Sequence, residues 1–247
     1  MTGGEQSRWR SVVWLALVCM IGGILGSPGL LQQARAQQAG SGEQPVTYTP
    51  PPRGAPGGRT GGGTRGPADT TPLLTALAPK EHTGLTVHAQ PVLYWYLGQA
   101  EQHPVYVTLT DRQSVIPLLE VALASPLQPG MHRIRLADYN VRLSPGVPYD
   151  WSVAIVPDPT QRSQDIAGSG TIELVAPPGG LQGQLTQAGK MATPRLYAEA
   201  GLWYDALAAL STLIDAAPQE PTLRQQRAAL LEQEQLTEAA AYDRQRQ

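Results

Sequence analysis

Phenylalanine is absent from the 247 residues, and cysteine occurs once, at Cys19. Everything after Cys19 therefore lacks a thiol, which excludes disulfides, thiolate metal sites and a cysteine nucleophile. The interior must be filled by Leu, Val, Ile, Tyr and Trp and held by packing alone. Charge is sparse as well: 18 Lys and Arg stand against 20 Asp and Glu, with no basic run. A mildly acidic chain of this kind has no electrostatic basis for binding nucleic acid. A long apolar run is also missing. Val12 to Gly26 falls short of the roughly 20 residues that a spanning helix needs, and Gly22, Gly23, Gly26 and Pro28 weaken it further.

The motifs of common enzyme chemistries are missing too. There is no Gly-x-Ser-x-Gly elbow, no His-Glu-x-x-His zinc helix and no Asp-rich calcium loop. Gly61 to Gly66 lacks the Gly-Lys-Ser/Thr ending of a phosphate-binding loop. His82 and His103 fall in expected loops, His88 and His132 in expected strands, and no two have the i, i+2 or i, i+4 spacing of a metal pair. Asp150, Asp158 and Asp165 gather near one strand end and read as a solvated loop. The expectation is a non-enzyme, with no catalytic, cofactor-binding or metal residues and no cofactor.

What is present begins with an export signal. Arg8 and Arg10 precede the apolar run, and Ala34-Arg35-Ala36 offers a small-x-small cleavage site, so residues 1–36 read as a signal peptide. Cleavage there leaves no stable membrane span. Residues 37–71 read as a disordered linker, because Pro50-Pro51-Pro52, Gly57-Gly58 and Gly61-Gly62-Gly63 bury little apolar surface and are costly to order.

Residues 72–178 carry the β-signals. In Pro148 to Pro157, Tyr149, Trp151, Val153 and Ile155 alternate with polar or small residues, which reads as a half-buried strand at the core. Further strands are expected over 85–88, 91–97, 104–110, 115–123, 132–136 and 170–175, with a short piece near 139–143. Pro117 marks the 115–123 strand as an edge or a bulge. Leu73, Leu74 and Leu77 suggest a helical turn before Pro79. Six to eight short strands with turn chemistry between them point to an antiparallel, immunoglobulin-like β-sandwich. Within Tyr94-Trp95-Tyr96, a strand sends Trp95 to the opposite face from both tyrosines, which argues against a flat sugar-binding platform.

Residues 179–247 change to a helical period. Leu196 to Gly201 reads as a short helix ending in a glycine turn, and Trp203, Leu207, Leu210 and Ile214 form one apolar stripe. Tyr197, Gly201, Trp203, Ala206-Leu207, Leu210, Leu213 and Pro218 follow the order of one tetratricopeptide unit. A third helix is expected from Thr222. One repeat cannot cover its own apolar face, so the region is expected to dock on the sandwich, giving an α+β protein. The candidate structural or interaction residues are Trp95, Trp151, Tyr197, Trp203, Tyr204 and Asp205. Asp205 lies about 200° round the helix from Trp203 and is expected to be more exposed.

Taken together, several segments resemble a known family. They are Gly61-Gly62-Gly63-Thr64-Arg65-Gly66, Leu74-Thr75-Ala76-Leu77 with Pro79, Gly84-Leu85-Thr86, and Pro91 before an aromatic strand. Tyr149-x-Trp151, Gly170-x-Ile172 and the run Leu196 to Leu207 continue the pattern. Over about Thr47 to Leu236, the chain resembles domain of unknown function nine hundred twenty-eight, a family of secreted, largely cyanobacterial proteins. Pro67-Ala68 departs from the pattern where many relatives have a cysteine, and Gln233 to Leu236 is a weak version of the family's ending. The resemblance implies the fold and export, and no activity. The expected function is an exported, non-enzymatic interaction module of the periplasm or cell exterior that binds a protein or envelope component. The alternatives are a carbohydrate-binding or surface-adhesion domain and, below it, a hydrolase whose residues converge only in the fold.

Overall fold

Tyr149, Trp151, Val153 and Ile155 are buried as their alternation requires, while Asp150 between them is exposed. They lie on β7 (Pro148–Ile155), which runs through the centre of a five-stranded sheet. The computed structural model describes residues 45–52, 74–114 and 116–246. The expected signal peptide and most of the expected linker fall outside the described residues.

The architecture is α+β. One sheet has the order β1-β3-β6, formed by β1 (Leu74–Ala76), β3 (Val92–Leu97) and β6 (Gly130–Arg135). The other has the order β2-β8-β7-β4-β5, with β2 (Gly84–Thr86), β4 (Val105–Asp111), β5 (Leu119–Leu123) and β8 (Ile166–Leu174). Pro117 precedes β5, which is an edge strand, where a missing N–H costs no ladder bond.

Three local expectations need correction. Leu74–Ala76 forms a strand paired with β3, not a helical turn. Three residues gain more from an open strand edge than from a helical nucleus that closes one hydrogen bond. The stretch after β6 forms a short 3₁₀ turn, Leu136–Tyr139, ended by Asn140 at φ 54°, and no strand. The sheets are also not purely antiparallel, because β2 pairs parallel with β8 through Gly84↔Ile172 and Thr86↔Leu174. The long chain between these two strands imposes no hairpin, so their direction is free to be parallel.

The two sheets approach closely where β8 carries glycine. A Cβ on Gly168 would stand 2.8 Å from Ala76 N, and one on Gly170 would stand 2.3 Å from Ala78 Cβ. Tyr94, Trp95 and Tyr96 are all buried, so both faces of β3 are covered.

Five helices follow: α1 (Leu181–Gln187), α2 (Thr193–Glu199), α3 (Trp203–Ala216), α4 (Pro221–Gln233) and α5 (Thr237–Gln245). Gly201 at φ +75° ends α2 in the left-handed conformation that glycine accepts without penalty. Pro221 starts α4 where its missing N–H costs nothing, and Glu220 caps it by accepting from Thr222 N at 3.2 Å. The indole N–H of Trp203 donates to Leu77 O at 2.9 Å, which ties α3 to the β region. α1 and α5 have too few apolar positions to stand out in the sequence.

The linker expectation fails for residues 45–52. Val46 and Tyr48 are buried, and Thr49 N donates to Ala198 O at 3.0 Å. Two apolar side chains at alternate positions, seated against α2, α3 and the end of α4, offset the ordering cost that the proline-rich composition suggested.

Candidate functional site

Asp205 stands in the first turn of α3, and its side chain is only 3% exposed. Its expected exposure is therefore corrected. Helical spacing does place it away from Trp203, but α3 is covered on both flanks. Trp203 faces Leu77 and Tyr48, while Asp205 faces the chain leaving β2. Oδ1 accepts from Thr86 Oγ1 at 2.8 Å and lies 2.7 Å from His88 Nδ1, while Oδ2 accepts from Val87 N at 2.9 Å. A buried carboxylate needs such partners, and here one backbone turn supplies all three.

The hydrogen bond to Asp205 raises the pKa of His88 above its ordinary value, against the opposing effect of burial. His88 remains 57% exposed at the side chain, so its ring reaches the mouth of a cleft of about 240 Å³. Tyr197, half-buried on α2, meets the ring edge-on at 6.2 Å. Two threonine hydroxyls near the pair are already committed. Thr86 Oγ1 donates to Asp205, and Thr212 Oγ1 donates to Ala208 O. The pair holds an acid and a base together, with the two threonine hydroxyls beside it spent on these acceptors.

Tyr204, next to Asp205, is fully buried. Its hydroxyl accepts from Trp151 Nε1 at 2.8 Å and donates to Thr171 O at 3.0 Å. Of the six candidate residues, Tyr197, Tyr204, Asp205 and Trp151 thus belong to one junction between α2, α3 and the five-stranded sheet with the turn after β2, while Trp203 lies on the other flank of α3, against Leu77 and Tyr48. Trp95 belongs to neither. It lies on β3, stacked on its cross-strand neighbour His132 at 5.6 Å, and its indole N–H has no partner among the described residues.

A second, larger cleft of about 420 Å³ opens between β6, α3, α4 and α5. Four guanidinium groups line it, from Arg133, Arg224, Arg227 and Arg246, against two carboxylates, Asp215 and Asp243. Arg227 is buried and forks onto Asp243 at 2.7 and 2.6 Å, while its third nitrogen donates to Ser211 Oγ at 3.0 Å. Arg133 pairs with Asp215 at the rim. Arg224 donates to Pro218 O, and Arg246 donates to Tyr242 OH at 2.7 Å and lies 5.3 Å over its ring. An adjoining cavity of about 330 Å³, with Pro218, Gln219 and Pro221, shares Arg224 and Arg246. The two cavities form one trough with an excess of positive charge.

Sequence reasoning missed this trough. Its only trace is a repeated spacing: Arg224 and Arg227 are three apart on α4, as Asp243 and Arg246 are on the last turn of the chain. Among the described residues, no group of His, Asp or Glu is arranged to hold a metal ion. Asp150 instead pairs with Arg112, and Asp165 with Arg162. No described helix is long and apolar enough to cross a membrane.

No curated protein matches the sequence. The family model described as Domain of Unknown Function (DUF928) matches residues 60–243, a span holding both sheets, the Asp205 junction and most of the arginine trough, and the chain belongs to that family.

Proposed function

We propose that this protein is an exported, non-enzymatic interaction module that holds an anionic component of the cell envelope in its arginine trough. The trough carries this reading: four guanidinium groups face two carboxylates in adjoining cavities of about 420 and 330 Å³. Arg227 is already neutralised by Asp243, and Arg133 by Asp215. The surplus charge sits on Arg224 and Arg246, whose guanidinium groups, among the described residues, meet uncharged partners, Pro218 O and the Tyr242 ring and hydroxyl. Arginine is suited to this task, because its planar fork binds carboxylate, sulfate or phosphate through two parallel hydrogen bonds.

The non-enzymatic reading is supported by the same pairing. The two carboxylates of the trough are held in ion pairs, and the threonine hydroxyls flanking His88 are spent on local acceptors. Export rests on Arg8, Arg10 and Ala34-Arg35-Ala36. The sandwich reading of the sheets is supported by the close approach of β8 at Gly168 and Gly170 to Ala76 and Ala78. The tetratricopeptide-like reading of α2 and α3 is supported by Gly201 and Pro218 at their ends.

The test is retention of residues 37–247 on an immobilised anionic polymer, such as dextran sulfate, at rising salt. Wild type is expected to elute at clearly higher salt than Arg224→Glu/Arg246→Glu. Equal elution of the two sinks the trough as the binding face. Export is tested by mass spectrometry of the secreted chain, which should begin at Gln37.

A further inference from the structure

Residues 45–52 do not merely cross the surface; they are read by the protein as an extended peptide ligand is read. Val46 and Tyr48 point inward and are buried, while Thr47 and Thr49 are exposed. The side-chain amide of Gln233 grips the backbone at two points. Its Oε1 accepts from Tyr48 N at 2.8 Å, and its Nε2 donates to Val46 O at 2.9 Å. That is the pairing a neighbouring strand would offer to residues i and i+2. A further bond from Gln233 Nε2 to Ala229 O at 3.0 Å holds the amide in this orientation.

The anchor of the segment is Tyr48. Its ring stacks on His82 at 5.7 Å and meets Trp203 edge-on at 5.1 Å, and its hydroxyl lies 2.8 Å from His82 Nε2. Downstream, Thr49 N donates to Ala198 O, a carbonyl at the end of α2 that also accepts from Gly201 N, both at 3.0 Å. Pro51 then passes over Gly201, where a Cβ would stand 3.0 Å from Thr49 O. Two backbone clamps, one aromatic pocket and a glycine floor constitute a groove with side-chain selectivity at alternate positions.

We infer that this groove is a peptide-recognition site whose ligand is the extended segment Val46–Pro51, and that it accepts this segment in trans from a second copy of the chain when its own tethered segment is disabled. The segment's hydrogen-bond and ring partners come from His82, Ala198, Trp203 and Gln233, all remote in sequence, so the contacts are the same whichever copy donates it. Twenty-one residues separate Pro52 from Leu74. At about 3.3 Å per extended residue, that chain is long enough to reach a neighbour. A sequence known to fit the groove is the one already seated there, which makes another copy the partner that the contacts favour. In the intact chain the tethered segment has the advantage of an effective concentration of order millimolar, so exchange is revealed when the tethered copy is disabled.

The experiment uses two full-length variants. Tyr48→Ala disables the segment and leaves the groove, whereas Gln233→Ala removes the clamp and leaves the segment. Each alone is expected to sediment as a monomer at a few hundred micromolar, and an equimolar mixture is expected to give a 1:1 complex. In parallel, a synthetic peptide of residues 44–53 is titrated into ¹⁵N-labelled Tyr48→Ala protein. Saturable shifts at Gln233, Ala198 and Trp203 are expected, at least tenfold weaker for the peptide carrying alanine at the Tyr48 position. Should Tyr48→Ala not fold, Thr49→Pro, which removes the N–H bonded to Ala198 and restricts the backbone of the segment, replaces it. A peptide that leaves the spectrum unchanged, or binds as well without its tyrosine, overturns the recognition site. A mixture that stays monomeric overturns exchange between copies.

Discussion

The indole N–H of Trp151 donates to the hydroxyl of Tyr204 at 2.8 Å, joining the central strand of the five-stranded sheet to the first turn of α3. The same hydroxyl donates to Thr171 O at 3.0 Å, so every polar atom of the contact is used. Tyr204→Phe keeps the ring and strands a buried indole N–H together with a buried carbonyl. It is expected to cost about 1–3 kcal/mol. Urea unfolding read by tryptophan fluorescence measures it, and a midpoint unchanged from wild type would refute the role of the hydroxyl.

Trp203 is fully buried and hydrogen-bonded to Leu77 O. Trp203→Ala removes the largest apolar group that joins α3 to the β region, and is expected to destabilise by about 3–5 kcal/mol. Calorimetry should show a single lowered transition. Unfolding like wild type would mean that the ring carries no packing load.

Asp205→Ala is expected to cost about 3 kcal/mol, comparable to the loss of Trp203. It leaves Thr86 Oγ1, Val87 N and His88 Nδ1 without their acceptor. Asp205→Asn retains an acceptor oxygen and should recover part of the loss. If the alanine variant matches wild type in chemical denaturation, the carboxylate is not a structural hub.

The His88–Asp205 pair also sets a pH dependence. The pKa of His88 is raised on folding, first by its hydrogen bond to Asp205, from an ordinary value of 6.5. A base with a raised pKa contributes stability that is complete below 6.5 and is lost as pH rises through the folded value. The groups that face it are Asp205 and Tyr197. His88→Gln should therefore narrow its stability deficit relative to wild type as pH increases above 6.5. Denaturation midpoints at pH 5.5, 6.5 and 8 test the sign, and a deficit that grows with pH contradicts it.

Gly170 tests how closely the sheets approach. A methyl group there would stand 2.3 Å from Ala78 Cβ and 3.1 Å from Trp151 Nε1. Gly170→Ala is expected to destabilise by about 1–3 kcal/mol through overpacking. Gly183→Ala, where a Cβ meets nothing within 4 Å, is the control. Similar melting temperatures for the two variants would place the sheets further apart than they are described.

The sequence by itself determined the strands around Trp151, the change to helical period after Pro178 and the apolar stripe of α3. Each is a local pattern, readable because side chains repeat at period two or near four along one element. The tertiary structure alone decided the rest. Asp205 is buried because the turn after β2, more than a hundred residues away in the chain, closes over a face of α3 that its own periodicity marked as polar. Tyr48 is ordered because His82 and Gln233, 34 and 185 residues further along the chain, both meet it, which composition in a proline-rich stretch does not show. The arginine trough likewise exists only where β6, α3, α4 and α5 converge. Contacts between distant positions leave no periodic trace in either partner, and in this protein the candidate sites are built from such contacts.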